Sequence, residues 1–190
     1  MSSFSHRDYF RKFRLNVEQY GEILVSEAFR GIKMGDAQPG YDVCVEPSAF
    51  REALRTIGIT APEDICEIRI EVKSKLSRTG AGNASVVHCN DCKLDGRISK
   101  RGAQRPGMTH LAIIIVDPGS RAAGDPNHEG RIEYAWLLSA QKARDLRNKK
   151  GKTQYISVQQ LQKESPSKIF LIADLLNRAA DRKIGEVGAG

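Results

Sequence analysis

With 190 residues, 40% hydrophobic and 28% charged, the chain has the make-up of one globular domain able to bury a core. No run approaches the about 18 apolar residues of a membrane span. The opening Met1-Ser-Ser-Phe-Ser-His-Arg-Asp lacks an apolar secretory core, and Cys44, Cys66, Cys89 and Cys92 read as reduced thiols of a cytoplasmic protein rather than a disulfide framework.

In chain order, the first expected element is a helix over residues 6–30, with Val17, Tyr20, Leu24 and Ala28 on one stripe. Arg7, Arg11, Lys12 and Arg14 form a basic cluster at its start. Gly31, Gly35 and Gln38-Pro39-Gly40 end it. Tyr41–Val45 is a short strand closed by Pro47, and Ser48 is placed to cap a helix through Thr56. Residues 65–76 alternate. Cys66, Ile68, Ile70 and Val72 share one face of a strand, and Glu67, Arg69, Glu71, Lys73 and Lys75 the other. The charged face has two readings: a solvated outer face laced with opposite charges, or a site.

Residues 77–83 form a Gly-rich turn without the Lys-Ser/Thr of a phosphate loop, and Ser85–Cys89 a strand. Residues 91–107 are polar and Gly-containing, and carry a second basic cluster: Lys93, Arg97, Lys100, Arg101 and Arg105. "HLAIIIVD" (110–117) has the unbroken apolar run of a central strand covered on both faces. A loop over 118–130 precedes a strand at 131–138, in which Tyr134 and Trp136 are expected in the core or at an interface. Ser139 caps a helix through about Asn148, where the third cluster lies: Lys142, Arg144, Arg147, Lys149, Lys150 and Lys152. A strand at 153–158 and an amphipathic helix at 167–183 follow, then a frayed tail over 184–190. The expected fold is α/β, a mixed central sheet flanked by helices, in one domain with its core at about 15–160. The net charge of +7 and the three clusters favour a polyanionic partner.

Asp42 is the residue that packing explains least. Asp is depleted from strands, yet it stands between Tyr41 and Val43 just after a Pro-Gly turn. One reading is an Asx-type turn residue that caps its own backbone. The other follows if this strand pairs with residues 65–76, because Asp42, Glu71 and Lys73 then converge at one end of the sheet. Two carboxylates and an ammonium suit a hard divalent cation such as Mg²⁺, with the Val72 carbonyl as a further oxygen ligand. Lys73 would orient an attacking water or stabilise charge on the phosphate.

Asp42 followed by Glu71-Val72-Lys73 resembles the PD-(D/E)XK nuclease superfamily, the restriction-endonuclease-like fold, and "GEILVSEAF" (21–29) resembles the first helix of its Holliday-junction-resolvase-like members. The resemblance covers roughly residues 15–117. It departs from the pattern where the leading Pro is displaced to Pro39 and where a helix is inserted between Asp42 and Glu71. What it implies is a Mg²⁺-dependent (or Mn²⁺-dependent) deoxyribonuclease, with an endonuclease expected. Asp42, Glu71 and the Val72 carbonyl would lie on the metal, and Lys73 beside the water. Glu22 would be a third acidic residue, with Glu27 as the alternative. Lys75, Lys93, Arg97, Lys100, Arg101 and Arg105 would contact DNA phosphates. A homodimer is the assembly implied for cutting two strands. A DNA-binding or assembly module that keeps the fold without cutting, and a nuclease acting on RNA, are the rival readings. Cys89 and Cys92 with His88 form a single C-x-x-C knuckle, which leaves structural zinc short of ligands unless His110 or His128 supplies one.

Overall fold

The computed structural model describes residues 5–12, 16–35, 40–61, 66–77, 86–88, 107–118, 129–150, 153–164 and 166–188. In chain order the elements are helices α1 (His6–Lys12) and α2 (Val17–Ala28), strands β1 (Ile32–Lys33) and β2 (Val43–Val45), helix α3 (Pro47–Arg55), strands β3 (Ile68–Leu76), β4 (Val86–His88), β5 (His110–Val116) and β6 (Ile132–Ser139), helix α4 (Ala140–Asp145), strands β7 (Asn148–Lys150) and β8 (Thr153–Ser157), and helices α5 (Val158–Glu164) and α6 (Pro166–Gly188). A five-stranded sheet runs β1–β2–β3–β5–β6, and a three-stranded sheet runs β4–β8–β7. In the larger sheet β3 and β5 are parallel and the other pairs antiparallel. This is the mixed α/β architecture that the alternation of strand and helix patterns implies.

The large sheet is covered on both faces. On one side Ile68, Ile70, Val72, Ala112, Ile114 and Val116 pack with Tyr20, Leu24, Phe29, Phe50 and Leu176 of the helical layer. On the other, Leu111, Ile113, Ile115 and Trp136 pack with Ala143, Leu146, Ile156 and Leu161. β5 feeds both cores by strand alternation, so its continuous apolar run is what a doubly covered central strand requires. Burying each Val, Leu, Ile or Phe side chain among these is worth about 1.5–3 kcal/mol. At the outer edge, the Asn177 side chain of α6 substitutes for a strand: it accepts from the Ile132 N–H at 2.9 Å and donates to the Ile132 carbonyl at 3.0 Å. Among the described residues, no helix is long and apolar enough to cross a membrane.

Several expected boundaries move. The long first helix is two helices, because Asn16 caps a new start by accepting the Gln19 N–H at 2.8 Å. The strand at 41–45 begins only at Val43. Pro47 opens α3 at its first turn, the position where its missing N–H is harmless; Glu46, and not Ser48, is the cap residue. β3 starts at Ile68, leaving Cys66 exposed ahead of it. The tail expected to fray from 184 continues as helix to Gly188. β1, β7 and α5 are too short to leave a period in the sequence.

Candidate active site

β2 and β3 pair antiparallel with Val43 opposite Ile70, despite the helix inserted between them. The ladder changes character at Asp42. Its N–H still donates to the Ile70 carbonyl at 2.9 Å, but its carbonyl turns away and accepts from the Met34 N–H at 2.7 Å. The Asp42 side chain then does what a strand backbone would: its Oδ2 accepts the Val72 N–H at 2.7 Å. Asp42 therefore caps the neighbouring strand. Gly40 just before it sits at φ 121, a backbone conformation that favours glycine and lets the chain turn into β2.

Glu71 and Lys73 are on the face of β3 opposite to Ile70 and Val72, paired across to Leu111 and Ile113 of β5. Those partners belong to the second core, so this part of the face is not solvated. Glu71 is 1% exposed, which overturns the outer-face reading at that residue. Its Oε1 lies 2.8 Å from the Lys73 Nζ, and the Lys73 side chain is 24% exposed. An ion pair so placed loses most of its hydration, and its attraction must offset that loss. For Lys73, burial lowers the pKa, but the charge and hydrogen bond of Glu71, then Asp42, then Glu18 outweigh it, and the ammonium ends above its usual value. It is a fixed cation at neutral pH.

Asp42, Glu71 and Lys73 thus meet at the end of β2. Beyond Val43, no described strand pairs with β3 on that side. α2 lies across β3 so closely that a Cβ on Gly21 would run into the Ser74 hydroxyl. A larger residue there would force Ser74 and Ile114 to shift. Beside it, Glu22 pairs with Lys33 of β1 at 3.0 Å. Glu27, expected as the alternative to Glu22, is turned to α6, with Lys183 at 3.0 Å and Arg182 at 4.0 Å. It is five residues past Glu22, well over a quarter-turn away around the helix. Among the described residues no group of three or more His, Cys, Asp or Glu side chains is spaced to hold a metal ion.

No protein-family model matches the chain, and no curated protein matches it either. The site therefore rests on its own geometry.

Glu18 lies one turn before Glu22 on α2, and its charge adds to those of Glu71 and Asp42 in raising the Lys73 pKa. Lys75 is half-buried on the same face as Lys73. The cluster Lys93, Arg97, Lys100, Arg101 and Arg105, with Cys89, Cys92 and His128, lies outside the described residues. In the first basic cluster, Arg11 grips Glu129 through two hydrogen bonds of 2.9 and 2.7 Å, with Arg7 3.8 Å from the same carboxylate. In the third, Lys142 pairs with Glu164 at 2.6 Å. His110, considered as a zinc ligand, is packed on Phe50 with its ring centre 5.0 Å away, and burial lowers its pKa to about 4.

Proposed function

We propose that this chain is a divalent-metal-dependent nuclease that hydrolyses phosphodiester bonds of DNA, of the PD-(D/E)XK type that its sequence resembles. The observation that carries the reading is the convergence of Asp42, Glu71 and Lys73 where β2 ends beside β3. Carboxylate oxygens are the hard donors that Mg²⁺ or Mn²⁺ prefers, so the donor set fits such an ion, with Asp42 and Glu71 as its holders and the Val72 carbonyl and Glu22 as further candidates. When bound, the ion supplies charge neutralisation at the phosphate and acidifies a water.

The chain's own residues do the rest. The Val72 N–H orients the Asp42 carboxylate, and burial restricts that of Glu71, so both are largely preorganised. Lys73, held protonated, contributes a positive charge and hydrogen-bond donors to the phosphate rather than taking up a proton. Lys75 and the basic stretch from Lys93 to Arg105 supply backbone phosphate contacts that anchor DNA without reading its sequence. A homodimer would bring two such sites to two strands.

Incubating supercoiled plasmid with the protein in Mg²⁺ and in EDTA tests the reading. Nicked or linear product with Mg²⁺ alone supports it. No cleavage of plasmid, branched DNA or single strands with either Mg²⁺ or Mn²⁺ would sink it. A second reading, a DNA-binding module on the same fold, is favoured by the ammonium of Lys73 lying on the buried carboxylate. It predicts salt-dependent DNA binding with no cutting.

A further inference from the structure

We infer a second binding site, independent of the nuclease reading: the groove between the C-terminal end of α2, α3 and α6 takes a small aliphatic carboxylate. The cavity is about 210 Å³ and is lined by residues of all three segments. Ala28, Ala53 and Leu175 form its buried base and belong to the first core. Glu71 and Lys73 pair across to the second core, so the sheet separates the groove from the triad. Pockets for drug-sized ligands run to about 300–1,000 Å³, so the occupant here is smaller.

Arg30 points to the ligand. It follows the end of α2, and its φ of 51 makes it the one non-glycine in the left-handed region among the described residues. Glycine holds such a helix end with less strain, and an outlier of this kind supports a role for the side chain. Its partner within the chain does not account for it. Glu52 lies 3.4 Å away with both side chains largely exposed, a pairing that contributes little. Arg182 lines the same groove and is half-exposed. It stands 4.0 Å from Glu27, whereas Lys183 holds that carboxylate at 3.0 Å. Both guanidiniums therefore keep donors for a ligand, and their planar forks match a carboxylate. A phosphate dianion would set a second negative charge beside Glu27 and Glu52, which a carboxylate avoids. The base of alanine and leucine suits a short hydrocarbon body.

NMR titrations of the full chain with pentanoate, pentylamine and inorganic phosphate at equal ionic strength test the site. Pentanoate is expected to bind with a Kd on the order of 1 mM, and the other two at least about tenfold more weakly. Pentanoate binding no tighter than either would overturn the assignment. Arg30→Gly removes the guanidinium and relieves the left-handed backbone. Its melting temperature is expected to hold or rise by about 1–3 °C, while pentanoate affinity falls about tenfold. Ala49→Leu fills the groove without altering its charge, and the same loss of affinity distinguishes a cavity from a patch of exposed cations. Unchanged affinity in either variant would overturn the inference. Neither variant touches Asp42, Glu71 or Lys73, so the result stands whether or not the chain cuts DNA.

Discussion

Along β3, Ile68, Ile70 and Val72 face the helical layer, while Arg69, Glu71 and Lys73 face the other way, one residue apart in each case. Both faces are largely out of water, yet their chemistry is opposite. The apolar face is stabilised by what surrounds it: Ile68 and Ile70 are fully buried among Tyr20, Leu24 and Phe50. The charged face holds a carboxylate and an ammonium that must compensate each other. The difference teaches where apolar burial and buried charge divide in this sheet. A strand needs only one apolar face to be held in place, so the second is available for groups that are expensive to bury and useful for that reason.

The largest expected effect breaks the charged face without touching the fold. Asp42→Asn keeps an oxygen to accept the Val72 N–H but removes the charge. Cleavage with Mg²⁺ is expected to fall about 10³-fold, several kcal/mol of transition-state stabilisation. DNA affinity measured without metal should stay equal or rise, because a carboxylate that repels phosphate is gone. The melting temperature should hardly move. The counterpart on the other face is Ile70→Ala, which leaves a cavity under α2 and is expected to cost about 2–5 kcal/mol, with cleavage per folded molecule unchanged. A thermal melt and an initial-rate measurement on each variant read both quantities. If Asp42→Asn melts early while Ile70→Ala loses activity, the division between the faces is wrong.

A pH titration sharpens the same contrast. His110 lies on the helical side, opposite Ile70 in the parallel register and against Phe50. Burial lowers its pKa to about 4, against an ordinary value of about 6.5. Between these two values the unfolded chain binds a proton that the folded chain refuses, so stability falls as pH drops through that window and is complete above it. The loss reaches up to about 3 kcal/mol, at about 1.4 kcal/mol per pH unit. Urea melts of wild type and His110→Gln at pH 7.5, 5.5 and 4.5 should converge as the pH falls. Parallel curves would mean that another group carries the acid sensitivity.

The apolar face was legible in the sequence because alternation has a period, and so were the doubly covered run at 110–117 and the Ser139 cap, whose hydroxyl accepts the Lys142 N–H at 3.2 Å. The triad of Asp42, Glu71 and Lys73 was legible as a spacing. What the spacing could not tell was depth: alternation gives Glu71 and Arg69 the same face, but only the packing of Leu111 and Ile113 buries one far more than the other. The break of the first helix turned on one side-chain cap at Asn16 within a continuous apolar stripe. Where α2 lies over β3 was not legible either, because the Gly21 and Ser74 contact joins residues more than 50 apart in the sequence. Arg7 and Arg11 of the first cluster counted toward a polyanionic partner, and no local pattern announces that Glu129, far along the chain, pairs with them.

The smallest effect separates two lysines on the charged face. Lys73 and Lys75 are two residues apart on β3 and both half-buried. Lys73 is held on Glu71, inside the triad. Lys75 lies nearer the end of the strand, beside the exposed Leu76, and is expected to act on DNA as a phosphate contact. A cation that neutralises one phosphate releases about 0.9 counterion on B-DNA. Lys75→Ala should therefore reduce the slope of log affinity against log salt by about one, weaken binding about equally for unrelated sequences, and leave kcat intact. Lys73→Ala should lower kcat, with only a slight loss of affinity. Fluorescence anisotropy with a labelled duplex at 50–300 mM salt, run beside the cleavage assay, reads both. A slope that Lys75→Ala leaves unchanged would mean that this lysine is held by the protein rather than by DNA, and the phosphate contacts would then have to come from the stretch between Lys93 and Arg105.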